Sequence, residues 1–276
     1  MRKFLIILLF PLSAYSQILP SQFGFNKPQP PGSFFNPKDT SGLLLWVYSD
    51  TLGLADNDPV STWTDLSGNG NDAIQAGSLR PLYKTNIQNG RAVLRFDGTD
   101  DFMDIANTSI IGGNTGLTVF VVVKQSTPAA IKAILCKWDY QTQGTFAIQT
   151  APVDNDEVMM YVADGCSSDG SQSQVSTDAN LGSNFYVLTY VYDGTQGTNS
   201  DRVKIYRNGT LLSITTNGTI ATALTSCSAT LKIGSFGGTL SRNGNFDIAE
   251  IAMYGHTLTT TGQTTVENYL KAHWGL

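Results

Sequence analysis

Ten short runs of alternating apolar and β-branched residues, separated by turn formers and followed by a single helical period, restrict this chain to packed antiparallel sheets. They fall at residues 43–48, 91–96, 117–124, 131–138, 145–150, 157–163, 185–192, 203–207, 229–234 and 246–254. In the 185–192 run, Phe185, Val187 and Val191 share one face and Tyr186, Leu188, Tyr190 and Tyr192 the other. Such a strand is predicted to lie centrally, buried on both sides. Asn208-Gly209 stands between two runs as the turn whose central residues both accept positive φ, so 203–207 and 211–214 are predicted to form a hairpin. Trp46 and Tyr190 are expected to be buried between or against the sheets. Only 259–276 changes period. There Val266, Tyr269, Leu270 and Trp274 predict a short amphipathic helix, capped by a Thr and stopped by Gly275.

Composition narrows the function classes. With 17 Lys and Arg against 22 Asp and Glu, the surface repels phosphate backbones, which excludes nucleic acid as an expected partner. Arg2 and Lys3, the apolar run 4–12 and Ala14-Tyr15-Ser16 read as a secretory signal over 1–16. Its apolar part is too short for the ~20 residues of a spanning helix, so a secreted or cell-surface protein with no membrane span is expected. Residues 17–40 carry Pro28, Pro30, Pro31 and Pro37, which prevent regular hydrogen bonding, and read as a linker or arm. Phe23, Phe25, Phe34 and Phe35 on this arm are expected to dock on the chain's own domain, with a protein partner as the alternative. From 41 to 276 no break in composition appears, as for one domain. Of the three cysteines, Cys166 and Cys227 lie among polar turn residues and Cys136 in an apolar run. Connectivity does not follow from sequence; the surroundings favour a bridge between Cys166 and Cys227, with Cys136 a small buried hydrophobe.

Several motifs occur in a telling order: Trp46; Asp65-Leu-Ser-Gly-Asn-Gly-Asn-Asp72; Phe96-Asp97-Gly98 ahead of Phe102; Ala249-Glu250-Ile251 running to Tyr254; and a terminal helix ending Trp274-Gly275-Leu276. In this order they resemble the concanavalin A-like, laminin G-like domains. The resemblance implies an all-β, two-sheet antiparallel jelly-roll sandwich with a short C-terminal helix. It leaves function open, since such sandwiches host lectins, adhesion modules and glycanases alike.

Two loops offer the oxygens that Ca²⁺ requires: Asp65, Asn69, Asn71 and Asp72 in one, Asp97, Asp100 and Asp101 in the other. Asx-rich turns satisfying their own N–H groups are the competing reading of both. For sugar recognition, which needs aromatic faces and planar hydrogen-bonding groups, the candidates are Trp138, Asp139, Tyr140 and Gln141 at a strand end with Asp154, Asn155 and Asp156 in a loop. Trp138 also suits a core position. Catalysis has weaker support. Retaining glycanases of this fold carry Glu-x-Asp-x-Glu on one strand face, with two carboxyls about 5 Å apart, whereas Glu157, Glu250 and Glu267 have no such spacing, and Asp247 and Glu250 are predicted to face opposite sides. Asn107, Asn208 and Asn217 begin glycosylation patterns, the last two with a turn explanation. The expected function is carbohydrate recognition or adhesion, with polysaccharide or glycoconjugate as partner. The alternatives are an interaction protein of a cell-surface or virion assembly and an atypical polysaccharide-degrading enzyme.

Overall fold

The alternating runs fold into two antiparallel sheets stacked face to face. A computed structural model describes residues 35–125, 131–139, 143–150, 157–163, 172–178, 181, 183–237 and 242–276 of a chain that divides into units Met1–Phe35 and Asn36–Leu276; the second unit is the sandwich. Among the described residues, the first sheet runs in space β14 (Thr210–Leu211), β13 (Val203–Arg207), β12 (Tyr186–Asp193), β7 (Gly116–Gln125), β17 (Phe246–Tyr254), β5 (Arg91–Arg95) and β4 (Leu82–Gln88), with β1 (Leu43–Tyr48) also paired to β17. The second runs β15 (Thr215–Asn217), β11 (Gln172–Asp178), β10 (Glu157–Ala163), β9 (Gln143–Thr150), β8 (Ala133–Asp139), β16 (Leu231–Ile233), β6 (Met103–Ile105), β3 (Ala73–Ile74) and β2 (Thr62–Trp63).

The pleat sends every second residue inward. Val119, Val121 and Val123 of β7, with Ile248, Ile251 and Met253 of β17, thereby meet Leu135, Phe146, Ile148, Met160, Leu231 and Ile233 of the opposing sheet. Between β7 and β13, β12 is central as its two apolar faces imply, with Tyr190 fully buried. Asn208 and Gly209 sit at φ 49° and 83°, closing the expected hairpin. Its second strand is only two residues long. Asn208 also ties the turn to β12, donating from its N–H to the Val187 carbonyl and accepting from the Val187 N–H on Oδ1, each at 2.8 Å.

Irregularities in the ladders place the outer-face groups. One edge of β17 is shared: β5 pairs with Asp247 and Ile248, β1 takes over from Glu250 to Tyr254, and the register shifts between Ile248 and Glu250. This bulge adds one residue to the alternation. Asp247 and Glu250 therefore share the outer face rather than facing opposite ways, while Phe246, Ile248, Ile251 and Met253 stay in the core. Helix α2 (Thr260–Trp274), which follows the four-residue α1 (Asn199–Arg202), covers part of that face. Thr259 Oγ1 caps it by accepting from Gly262 N at 3.2 Å, and Gly275 ends it at φ 67°. Val266, Leu270 and Trp274 are buried as their spacing predicts, and no described helix is long and apolar enough to cross a membrane. The sandwich unit begins at Asn36, so the last residues of the Pro-rich stretch belong to it. There Asn36 and Asp39 form a capping box and the Pro37 carbonyl accepts from the Tyr254 hydroxyl at 3.0 Å.

Candidate functional site

The 65–72 loop joins β2 to β3 and is organised by the Asp65 carboxylate. Oδ1 accepts from Trp46 N (3.0 Å) and Ser67 N (2.8 Å); Oδ2 accepts from Asn71 N (2.9 Å) and the Ser67 hydroxyl (2.7 Å). Asp72 Oδ1 accepts from Asp65 N at 2.7 Å. Asn69 and Asn71 aim their amide nitrogens at the Leu44 carbonyl, at 3.3 and 2.8 Å, and Asn71 Oδ1 accepts from Asn107 at 2.9 Å. The four residues do come together, but both Asp65 oxygens, Asp72 Oδ1, Asn71 Oδ1 and the two amide nitrogens are bonded to the chain itself. That is the chemistry of an Asx-rich turn, which here fastens the loop to β1.

Between β5 and β6, Asp97, Asp100 and Asp101 bring carboxylate oxygens within 4.8 Å of one another. Asp97 Oδ1 accepts from Thr99 N at 2.7 Å and Asp100 N at 3.3 Å, while Asp101 Oδ2 accepts from Asp97 N at 3.0 Å. Burial foremost, then the charges of Asp97 and Asp100, push the Asp101 carboxyl up to about 6, against the Asp97 N–H that favours its ionised form.

At the end of β8 the sugar candidates part company. Trp138 is fully buried, its ring stacked on Phe236 with centroids 5.6 Å apart and packed so closely over Gly144 that no side chain fits there. With Cys136, Met159 and Tyr161 it forms an apolar cluster, so its ring belongs to the packing and offers no face to a sugar. Asp139 is exposed. Tyr140, Gln141, Asp154, Asn155 and Asp156 lie outside the described residues, as does Cys166.

Beside Trp138, Lys137 is fully buried and donates from Nζ to the carbonyls of Thr108 (2.8 Å), Cys227 (2.8 Å) and Ala229 (2.7 Å). Burial lowers its pKa to about 8. Nothing in Ile-Leu-Cys-Lys-Trp announces this role, because the carbonyls come from distant loops. Cys227 is disulfide-bonded and Cys136 is a buried free thiol. Peptide mapping without reduction is expected to recover Cys227 linked to Cys166, a bridge worth about 2–4 kcal/mol in the chain-entropy view; a Cys136-linked peptide would refute the pairing.

Three carboxylates on the outer face of the first sheet and on the helix over it are bound by the fold. Asp247 takes Arg95 bidentately, Nε at 2.6 Å and Nη2 at 2.8 Å, with Lys124 Nζ at 3.8 Å. Glu267 accepts from the Thr189 hydroxyl at 2.6 Å. Glu250, fully buried, accepts from two indoles, Trp46 Nε1 on Oε1 at 2.7 Å and Trp274 Nε1 on Oε2 at 2.8 Å, and from the Tyr269 hydroxyl. It thus joins β1, β17 and α2.

Burial pushes the Glu250 pKa up to about 7, against those three donors and Arg91. A folded-state pKa above the unfolded value of 4.5 means that the fold holds this proton more tightly than the open chain does. The stabilisation is full below about pH 4.5 and is lost as pH rises through about 7, a change on the order of 3 kcal/mol. His273, held down to about 4 chiefly by burial, acts in the opposite sense, and comparison with Glu250→Gln cancels its contribution. Urea unfolding from pH 4.5 to 8 should show wild type losing ground steadily to Glu250→Gln; parallel curves would show that Glu250 is not the titrating group.

No protein-family profile matches the chain, and no curated protein matches it. Among solved structures it is similar to the binding domain of Paraclostridial Mosquitocidal Protein 1, with a TM-score of 0.58 and 10% identity over 85% of this chain and 53% of that one. It is also similar to the receptor-binding domain of the botulinum neurotoxin C/D mosaic serotype (TM-score 0.56, 11% identity, 84% and 51%) and that of botulinum neurotoxin type G (0.56, 12%, 84% and 52%). The chain spans about half the length of these structures. At such identities the likeness shows the fold, an antiparallel β-sandwich.

Proposed function

We propose that this chain is an exported, non-catalytic binding module of the laminin G-like kind that recognises polysaccharide or glycoconjugate, with adhesion as the consequence. The observation that carries this reading is the sandwich itself, which over 84–85% of the chain follows domains known as binding or receptor-binding domains. The engagement of Asp247, Glu250 and Glu267 by the fold's own donors supports a binding role over acid–base chemistry. Loops carry the sites of such scaffolds, and Asp139 stands exposed at the end of β8, where that strand meets a loop.

A glycan array probed with the protein, with and without calcium, tests the reading. Binding to at least one class of glycan is expected. An array blank under both conditions would sink the proposal.

A further inference from the structure

An asparagine followed by glycine can turn the main chain on its own side chain, because glycine has no Cβ to shield the following N–H or restrict its approach to the amide. The chain carries five such pairs, at 69–70, 89–90, 208–209, 217–218 and 243–244. In four of them the fold engages the amide. Asn69 Nδ2 donates to the carbonyls of Leu43 (2.8 Å) and Leu44 (3.3 Å) and to the Ser67 hydroxyl (3.0 Å). Asn89 Nδ2 donates to the His273 carbonyl at 3.0 Å, and Asn208 Oδ1 accepts from Val187 N at 2.8 Å. Asn243 is fully buried with Nδ2 on the Thr99 carbonyl at 2.9 Å, and the Gly244 N–H beside it is already bonded to the Gly234 carbonyl at 2.7 Å.

Asn217 differs from all four. It ends β15, an edge strand paired in its sheet only to β11, and its backbone lies opposite Gln174. Asn217 and Gly218 are both exposed, and among the described residues neither the Asn217 amide nor the Gly218 N–H makes a hydrogen bond. The frame around them is nonetheless fixed: Gly218 sits at φ 75°, its carbonyl accepts from Asn199 Nδ2 at 2.7 Å, and Asn199 Oδ1 accepts from Ile220 N at 3.0 Å. We propose that Asn217 is a self-modifying site, at which the chain converts its own asparagine to an isoaspartyl or aspartyl residue and so loosens β15 from β11. Solvent base takes the proton of Gly218 N, the nitrogen attacks Asn217 Cγ, and a C–N bond forms as the amide nitrogen leaves, reprotonated, as ammonia. Water then opens the cyclic imide. Cleavage at the main-chain carbonyl leaves a carboxylate there and routes the chain through the side chain, whereas cleavage at Cγ gives aspartate. Nothing is oxidised or reduced, and water is the only co-reactant. Both products place a negative charge on the sheet edge. The isoaspartyl form also adds a carbon to the backbone opposite Gln174, which disturbs the ladder as an inserted residue does at a bulge. The proposal stands apart from glycan recognition and does not depend on it.

Incubation of the full-length protein in mildly alkaline buffer, followed by peptide mapping with mass spectrometry and by assay of released ammonia, is the test. Asn217 should convert at least ~tenfold faster than any of the other four, because a bonded or buried amide reacts only in the small fraction of molecules that have opened locally. In urea the five should convert at similar rates, since the difference belongs to the fold. Asn217→Ser should abolish the early release of ammonia, and Asn89→Ser should leave it unchanged. Hydrogen exchange should show β15 and β11 losing protection in aged protein and keeping it in Asn217→Asp, which carries the charge without the added carbon. Conversion of another Asn-Gly pair ahead of Asn217, or the same preference for Asn217 in urea, would overturn the assignment. Aged protein whose β15 exchanges as in fresh protein would overturn the loosening.

Discussion

Trp46→Ala should unfold at far lower urea concentration and melt on the order of 10–15 °C below wild type. Trp46 is a large aromatic only 8% exposed, and truncating such a side chain costs about 3–5 kcal/mol through lost burial and the cavity left behind. The indole also donates to Glu250 at 2.7 Å. Losing a donor to a buried carboxylate adds about 1–3 kcal/mol, so the total approaches the whole margin of a marginal domain. Trp46→Phe separates the two contributions, since it keeps much of the ring and removes the N–H; it should cost about 1–3 kcal/mol. A Trp46→Ala protein melting like wild type would show that the Glu250-centred junction of β1, β17 and α2 contributes little to stability.

Lys137→Met should be the second severe substitution, destabilising by about 3–5 kcal/mol. Methionine fills nearly the same space, so the expected loss is electrostatic. Three main-chain carbonyls, of Thr108, Cys227 and Ala229, would be left in the interior without their common donor, and each unsatisfied buried acceptor costs about 1–3 kcal/mol before relaxation. With its pKa at about 8, the amine is still largely charged at neutral pH, which strengthens the three bonds. Urea unfolding at pH 7 measures the effect. A change below about 1 kcal/mol would mean that the carbonyls find other donors once the ammonium is gone.

The two substitutions mark where sequence reading succeeds and where it stops. The central strand β12, the Asn208-Gly209 hairpin and the capped, Gly-terminated helix α2 were all legible because each is governed by neighbours within a few residues: side-chain alternation, positive φ at a turn, and the 3.6-residue period. Strand β11, Gln-Ser-Gln-Val-Ser-Thr-Asp, was not, because its polar sequence has no period of its own and its register comes from pairing with β10. Trp138 ends an apolar run and was open to either a sugar-binding or a core position. The stacking of Phe236, nearly a hundred residues on, decided for the core.

The acidic loops show the same division. Asp65–Asp72 and Asp97–Asp101 look alike as strings of oxygen donors. Only the fold distinguishes them, by bonding the Asp65 carboxylate to the N–H groups of Trp46, Ser67 and Asn71 and by bringing Asn243 against the 97–101 loop from across the sandwich. Likewise the alternation of β17 predicts Asp247 and Glu250 on opposite faces, and one bulge, imposed where β5 yields to β1 along a shared edge, puts them on the same one. By itself the sequence determined that this is a two-sheet sandwich closed by a helix, because alternation, turn chemistry and capping act over a few residues. The tertiary structure alone decided which polar groups are spent on the fold, because that depends on partners that are far apart in the chain and meet only when the sheets pack.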